Sequence, residues 1–416
     1  MGSLKVLHLT THLTGGAGKA VVRIHRLMKN SGIDSLLLAR SGESFSEQAI
    51  VSLNDYSLPK KATEVLRRKL QFYPKYNVYS ARDYSSSDLV TKIEKLGFEP
   101  NVIILHWVAN FVSLADIRKL KNKYKSRFFW FSMDMAPLTG GCHYSWGCNG
   151  YLKDCSSCEA ARGQWGFDKP AIYFAHKKEI IRECEVSVIV PNRWVLAQAK
   201  ESGLNFKSIN LCYLPLDSSI FTPSVVANSG SVITIFFGAI NINDSRKGGR
   251  YFIQSMSFLH ELLIRNNIDP AGVKVVIPGE KRTSLEEEIP FLIERIGFAS
   301  TDIELAEFYQ NADIFVSTSM EDSGPMMVLE SLMSGTPVAA FDIGVSKEVL
   351  ETSYNGYLVR AGDVEQLASS ILNFVLLSKS QKNILKGNAR QSVLNLMSCE
   401  IHSQKLLDII VNNDLN

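Results

Sequence analysis

"DIFVSTSMEDSGPMMVLESLMSGTPVAAFD", residues 313–342, is the stretch from which the rest of the chain can be read. "DIFVSTS" (313–319) is an apolar, β-branched run that leads into a loop with Gly324 and Pro325. Met326 to Ser334 reads as a helix, Gly335 stops it, and Pro337 lies just beyond, the usual order of C-terminal signals. "PVAAFD" (337–342) then opens the next strand. Pro325 suits the first helical turn, where no amide hydrogen is needed. Backbone N–H groups around Ser323 to Val328 are therefore expected to point out of the strand end. Two acids flank this turn, Asp322 in the loop and Glu330 about one turn into the helix.

The same alternation of short apolar runs and amphipathic stretches continues in both directions. It predicts parallel sheets covered by helices on both faces. In the first half the strands are expected at 5–9, 35–40, 102–107, 127–133 and 187–192. In the second half they are expected at 232–239, 273–279, 313–319 and 337–342. "LPLDSSIFTPSVVANSGS" (214–231), rich in serine and carrying two prolines, is the natural linker. The expected fold is α/β, with two doubly wound Rossmann-like domains facing across a cleft. Residues 1–214 form the first domain and 215–395 the second, and a helix at 396–416 packs back on the first. Ligands of such sheets bind outside the carboxyl ends of the strands.

Length and composition agree with two domains: 416 residues, 45% hydrophobic and 21% charged. A net charge of +3 argues against a general nucleic-acid binder. No signal peptide is expected ahead of "KVLHLTTHL", and Val6 stands where a myristoylation signal needs Ser or Thr. No run of about 18 apolar residues occurs, so no membrane-spanning helix is expected. The expected location is cytoplasmic. "LPKKATEVLRRKLQFYPKYNVY" (58–79) is basic and amphipathic, and could dock on the inner face of an anionic membrane. A solvated helix packed on its own domain fits it equally well.

Two glycine-bearing turns invite phosphate. After the first strand, Gly15, Gly16 and Gly18 precede a helix with Val21, Ile24, Leu27 and Met28 on one face. Glycine lets the backbone approach a ligand, and a helix N-terminus favours anions. The full G-x-x-x-x-G-K-[ST] and G-x-G-x-x-G patterns are both absent. After strand 232–239, Arg246 and Lys247 precede Gly248 and Gly249. Such a cationic pair can neutralise the charge that grows on a departing diphosphate. A plain strand-to-helix turn and a solvated basic loop are the competing readings. Glu330 can accept hydrogen bonds from a vicinal diol such as a ribose, and Asp322 can reach the hydroxyls of a bound sugar. Acids placed to suit the helix dipole explain Asp322 better than they explain Glu330.

"EDSGPMMVLESLMSGTPVAAFDIGVSKEV" resembles the E-x7-E segment of retaining family 4 glycosyltransferases of GT-B fold, with Asp322 at the first acidic position and Glu330 at the second. "ELAEFYQNADIFVSTS", "NGYLVRAGDVEQLA" and "GGAGKA" agree with it. "HLTTHLTGGAGKAVVRIHRLM" and "MAPLTGGCHYSWGC" look closest to the branch that builds bacterial surface polysaccharides. The resemblance implies transfer of a sugar, with retention, from a UDP- or GDP-type nucleotide sugar. The acceptor would be a hydroxyl of a saccharide or undecaprenyl-linked oligosaccharide in O-antigen, capsule or exopolysaccharide assembly. It implies that Glu330 binds the donor ribose, that Arg246 and Lys247 hold the diphosphate, and that Asp322 positions the transferred sugar. Further donor contacts would come from Gly238, Gly279, Ser323, Gly324, Met326, Met327 and Val328. Gly15, Gly16, Ala17, His106 and Asp134 would contribute from the first domain. No divalent metal is expected for transfer.

Two departures from that family stand out. In "WFSMDMAPLTGG" Met133 occupies the position of a histidine that precedes Asp134, and Ala239 replaces an arginine after the strand-end glycine. Arg246 can supply the missing charge. His106, at the end of "VIILHW", is either a sugar or acceptor contact or a structural histidine. Met133 keeps a non-catalytic GT-B partner subunit in view, and a GT-B nucleotide-sugar epimerase or hydrolase would share the same site. "CHYSWGCNGYLKDCSSC" crowds four of seven cysteines, Cys142, Cys148, Cys155 and Cys158, into one stretch beside His143. In a reducing compartment disulfides are not expected there. The closing C-x2-C with two further thiols can enclose a structural Zn²⁺; four free thiols are the alternative.

Overall fold

A computed structural model describes residues 4–42, 49–54, 88–161, 169–224, 232–239, 242–279 and 283–412. The chain divides into two compact units, Met1–Pro215 with His402–Asn416, and Leu216–Ile401. The basic stretch 58–79 and the end of the linker, 225–231, lie outside the described residues.

In the first unit, β1 (Lys5–His12), β2 (Asp34–Ser41), β3 (Ile50–Ser52), β4 (Val102–Leu105), β5 (Arg127–Phe131), β6 (Ser187–Val190) and β7 (Ile209–Leu211) form one parallel sheet. Its order is β3-β2-β1-β4-β5-β6-β7. The reversal of winding falls beside β1, whose Val6 lies opposite Ser35 on one side and Val102 on the other. Around it run α1 (Gly15–Asn30), α2 (Leu89–Lys95), α3 (Leu114–Tyr124), α4 (Lys169–Glu183) and α5 (Arg193–Glu201). Leu7, Leu9, Ile103, Leu105, Phe128 and Trp130 alternate along the strands into one buried cluster with Ile117 and Ile180 of the helices. Helix α3 starts sharply because Ser113 and Asp116 cap each other's backbone N–H groups. From His402 onward the chain groups with this unit, where Leu406 and Ile410 are fully buried and the Cys212 sulfur lies 3.6 Å from the His402 ring.

The second unit repeats the plan. Strands β8 (Ile233–Phe237), β9 (Val273–Pro278), β10 (Leu292–Ile296), β11 (Ile314–Ser317), β12 (Val338–Phe341) and β13 (Gly356–Val359) form a parallel sheet of order β10-β9-β8-β11-β12-β13. The helices here are α6 (Gly249–Arg265), α7 (Asp302–Gln310), α8 (Met326–Met333), α9 (Ser346–Val349), α10 (Val364–Leu376) and α11 (Lys379–Met397), and α12 (Cys399–Asn412) follows. Helix α8 ends at Met333, two residues before the glycine that was expected to stop it: Ser334 caps it and Gly335 turns left-handed, φ +73°. Both units are thus Rossmann-like α/β layers. Among the described residues no helix is long and apolar enough to cross a membrane.

All nine expected strands are present, with ends shifted by a few residues. The four strands that the sequence did not announce are β3, β7, β10 and β13, and these are the two edges of each sheet. An edge strand is covered less than a central one, so its composition need not be apolar. "LIERI" of β10 has no fully buried residue, and "INL" of β7 is only half-buried throughout.

Candidate active site

In the second unit the carboxyl ends of β8 and β11 carry the loops of interest. The basic turn after β8 is built by its own residues. Asp244 accepts from the Arg246 N–H at 3.0 Å through its side chain, and from the Lys247 N–H at 2.9 Å through its carbonyl. Gly248 follows with φ +70°, and a Cβ there would stand 1.9 Å from the Thr318 carbonyl oxygen. Only glycine allows this approach. The Thr318 hydroxyl donates to the Gly248 carbonyl at 2.9 Å, and the Met320 N–H donates to the Arg246 carbonyl at 2.8 Å. The basic turn is therefore stitched to the loop that leaves β11.

That stitching brings the sequence-predicted charges together. Lys247 Nζ lies 2.6 Å and Arg246 Nη1 3.0 Å from the same oxygen of Asp322. The Gly324 N–H donates to the other oxygen at 3.2 Å. Burial works to raise the Asp322 pKa, but the charges of Lys247 and Arg246 and these hydrogen bonds outweigh it and hold the carboxyl below its ordinary range. Arg246 pairs with Asp244 as well, its Nη2 3.4 Å from that carboxylate, so the two cations are balanced by two carboxylates. The side chains of Arg246 and Lys247 stay 18% and 24% exposed, so both can turn to an incoming anion.

Glu330 sits deeper, 4% exposed, and accepts from the Tyr309 hydroxyl at 3.0 Å. Tyr309, the penultimate residue of α7, is fully buried with its ring edge-on to Phe236 and Phe315. The start of α8 departs from the sequence expectation. Pro325 is the residue before the helix rather than within its first turn, with ψ +87°. The Val328 N–H bonds to the Pro325 carbonyl at 2.9 Å, and the Gly324 N–H is taken by Asp322. Neither of these N–H groups is therefore offered to a ligand, and Val328 is buried besides. Ser323 is buried as well, while Met326 and Met327 are half-buried at the helix start. Met327 packs on Gly238, where a Cβ would meet its methyl carbon at 1.8 Å. Ala239, next in the chain, is buried. Gly279 follows β9 with φ +116°, and its carbonyl accepts from Arg295 at 3.2 Å.

In the first unit the glycines divide their work. Gly15 opens α1 with φ +74°, the space where Gly16 would carry a Cβ is open, and a Cβ on Gly18 would stand 2.4 Å from the Leu13 carbonyl carbon. Gly18 is thus a packing glycine, whereas Gly15 and Gly16 are exposed and Ala17 half-buried. His106 is 2% exposed, stacks on His8 and Phe131, and shares a 3.0 Å contact with the His8 ring. Burial pushes its pKa down to about 3, so it is neutral at physiological pH.

Asp134, 4% exposed, gathers three partners. Its side chain accepts from Trp107 Nε1 at 2.7 Å and the Ala136 N–H at 2.8 Å, and pairs with His143 Nδ1 at 2.5 Å. Met133 points elsewhere, against the small cluster of Leu13, Val21 and Leu37. Asp134 therefore does have a histidine, supplied from ten residues beyond the position of Met133. His106, Trp107, Asp134, His143, Tyr173 and Lys177 line one cavity. Lys177 is fully buried and donates to the Ala136 and Thr139 carbonyls, both at 2.6 Å, with Tyr173 and Trp130 stacked on it. Burial pulls its pKa down to about 7.

The four clustered cysteines are free thiols around a second cavity of about 360 Å³. Cys142 and Cys158 hydrogen-bond each other, which favours Cys158 as the thiolate and pushes Cys142 up. Among the described residues, no three His, Cys, Asp or Glu side chains stand together as an ion-holding group. Asp244, Tyr309, Trp107 and Lys177 were not singled out from the sequence. Only Asp244 left a local signal, an Asp two residues ahead of a basic pair and a glycine.

Comparison with known proteins gives this geometry a context. Residues 231–376 match the family model described as glycosyl transferases group 1. The UDP-Gal:alpha-D-GlcNAc-diphosphoundecaprenol alpha-1,3-galactosyltransferase of Escherichia coli is 20% identical over 175 residues, 41% of this chain and 44% of that protein. The chain thus spans less than half the length of that relative. A solved glycosyltransferase from Rickettsia africae ESF-5 superposes with a TM-score of 0.66 at 16% identity, covering 100% of both chains. Anabaena Alr3699/HepE, solved in complex with UDP and glucose, superposes with a TM-score of 0.64 at 14% identity, covering 98% of this chain and 99% of that one. At these identities the structures show a shared fold, GT-B, and with the family match they support a glycosyltransferase.

Proposed function

We propose that the chain is a retaining, metal-independent glycosyltransferase that moves a sugar from a UDP- or GDP-type donor to a saccharide or undecaprenyl-linked acceptor in bacterial polysaccharide assembly. The observation that carries this reading is the convergence of Lys247 and Arg246 on Asp322, at the strand ends where α6 and α8 begin. In the proposed reaction the bond between the anomeric carbon and the diphosphate oxygen breaks, and an acceptor oxygen bonds to that carbon from the same face. The acceptor proton passes to the leaving phosphate. Lys247 and Arg246 turn from Asp322 to the diphosphate and stabilise its growing charge, a role worth about 100- to 1,000-fold for one preorganised group. Asp322, released from its cations, orients the sugar hydroxyls. Glu330, fixed by Tyr309, takes the ribose. The donor and carrier named for the E. coli relative, and the UDP and glucose named for the Anabaena structure, support this choice of substrates.

Calorimetric titration with UDP, GDP and ADP tests the donor assignment. One diphosphate is expected to bind, and Glu330→Gln and Tyr309→Phe are expected to weaken it about tenfold, the loss of roughly one hydrogen bond to a charged group. Unchanged affinity in both variants would remove Glu330 from the donor site. Incubation with donor alone separates transfer from hydrolysis or epimerisation, since a transferase leaves most donor intact. The anomeric configuration of the product, read by NMR, checks retention.

A further inference from the structure

The loop that follows β5 has an organisation that the proposed chemistry leaves unused. From the end of β5 at Phe131 to Ala161, the chain has only single-turn 3₁₀ segments, at Ala136–Leu138, Gly150–Leu152 and Glu159–Ala161. Trp146, Cys155 and Ser157 take left-handed conformations, with φ of +50°, +55° and +54°. Such backbone is costly for residues other than glycine and persists when something over-determines it. Cys142, Cys148, Cys155 and Cys158 all line the same cavity within this loop.

Backbone N–H groups already serve the sulfurs. Gly140 donates to Cys155 at 3.1 Å, Gly150 donates to Cys148 at 3.4 Å, and Ala160 and Ala161 donate to Cys158. Donation of this kind favours thiolate sulfur and is the usual outer support of metal-bound cysteine. The fourth thiol, Cys142, touches Cys158. Buried Lys177 ties down the carbonyls of Ala136 and Thr139 at the root of the loop. Four thiolates on a divalent ion carry a net charge of about −2, which the N–H groups would help to offset.

We propose that Cys142, Cys148, Cys155 and Cys158 form a structural site for one tetrahedral Zn²⁺, which fixes the chain from Cys142 to Cys158. As the side chains stand, no three of the thiols surround one point. Ligation requires the four side chains to turn from these positions toward one point in the cavity they share. The ion would hold the loop by chain crosslinking and would take no part in sugar transfer. The inference stands whether or not the chain is a glycosyltransferase.

Elemental analysis of the full chain, purified without chelator, is expected to find one zinc per molecule. A mercurial reagent should release it in step with blocked thiols, and Cys155→Ser with Cys158→Ser should abolish it, while Cys184→Ser retains it. If the double variant fails to fold, cobalt titration of chelator-treated wild type decides the matter. Co²⁺ should give the intense thiolate charge-transfer and tetrahedral d–d bands, and its removal should lower Tm. Protein free of metal as purified, taking up neither Zn²⁺ nor Co²⁺, would overturn the proposal. So would a Cys142–Cys158 disulfide in anaerobically purified material.

Discussion

The turns after β1 and after β8 hold the same place in two sheets of the same winding, and they differ in almost everything chemical. After β1 the chain enters α1 through exposed Gly15 and Gly16, with no acid in the first helical turn. After β8 it makes a capped turn with two cations bound to a carboxylate from the next loop. Fold position supplies a helix start at a strand end in both cases. Charge decides what that position can hold. The first turn offers close backbone approach, and the second offers compensation for a leaving group.

The comparison can be broken most directly by making the second turn resemble the first. Lys247→Ala and Arg246→Ala are each expected to lower kcat by about 100-fold or more, because each removes a charge matched to the transition state. Steady-state assays with saturating donor check this. A loss confined to KM would assign these side chains to uniform binding instead.

The glycines sharpen it next. Gly18→Ala places a methyl 2.4 Å from backbone that cannot yield, and is expected to cost about 1–3 kcal/mol of stability. Gly16→Ala meets open space, so Tm should hold while donor KM rises if a ligand comes within contact of that turn. Paired thermal melts and donor titrations distinguish packing from recognition.

The smallest expected effect concerns acid. Asp322 has a lowered pKa in the folded chain, so the unfolded chain binds the proton more readily. Its contribution to stability is therefore full above the ordinary value near 3.8, and is lost as pH falls below it. Urea melts of wild type and Asp322→Asn between pH 7 and pH 3 should converge toward the acid end. A constant gap would place the stabilisation elsewhere.

Much of this was legible in the residues. Central strands are buried on both faces and must read as continuous apolar runs, so "VIIL", "FFWF" and "VAAF" announced themselves. Edge strands β3, β7 and β10 did not, since partial exposure relaxes that demand, and β13, though buried, is only four residues long and opens on Gly356. The acids and cations of the second unit stood out as charges beside glycine turns. Tyr309 did not, because a tyrosine at the end of an amphipathic helix looks the same whether its hydroxyl meets solvent or a buried carboxylate. His143 was visible only as a neighbour of cysteines, and its bond to Asp134 spans a loop with no periodicity.

By itself the sequence determined the alternation of strand and helix, the two sheets, and the residue types available at their ends, because those follow from local propensity and burial period. Tertiary structure alone decided that Lys247 and Arg246 share one oxygen of Asp322 some 75 residues away, that Val328 spends its N–H on Pro325, and that four thiols face one cavity. The physical reason is reach. A hydrogen bond or ion pair acts over about 3 Å, and only packing of the whole sheet brings such distant parts of the chain that close.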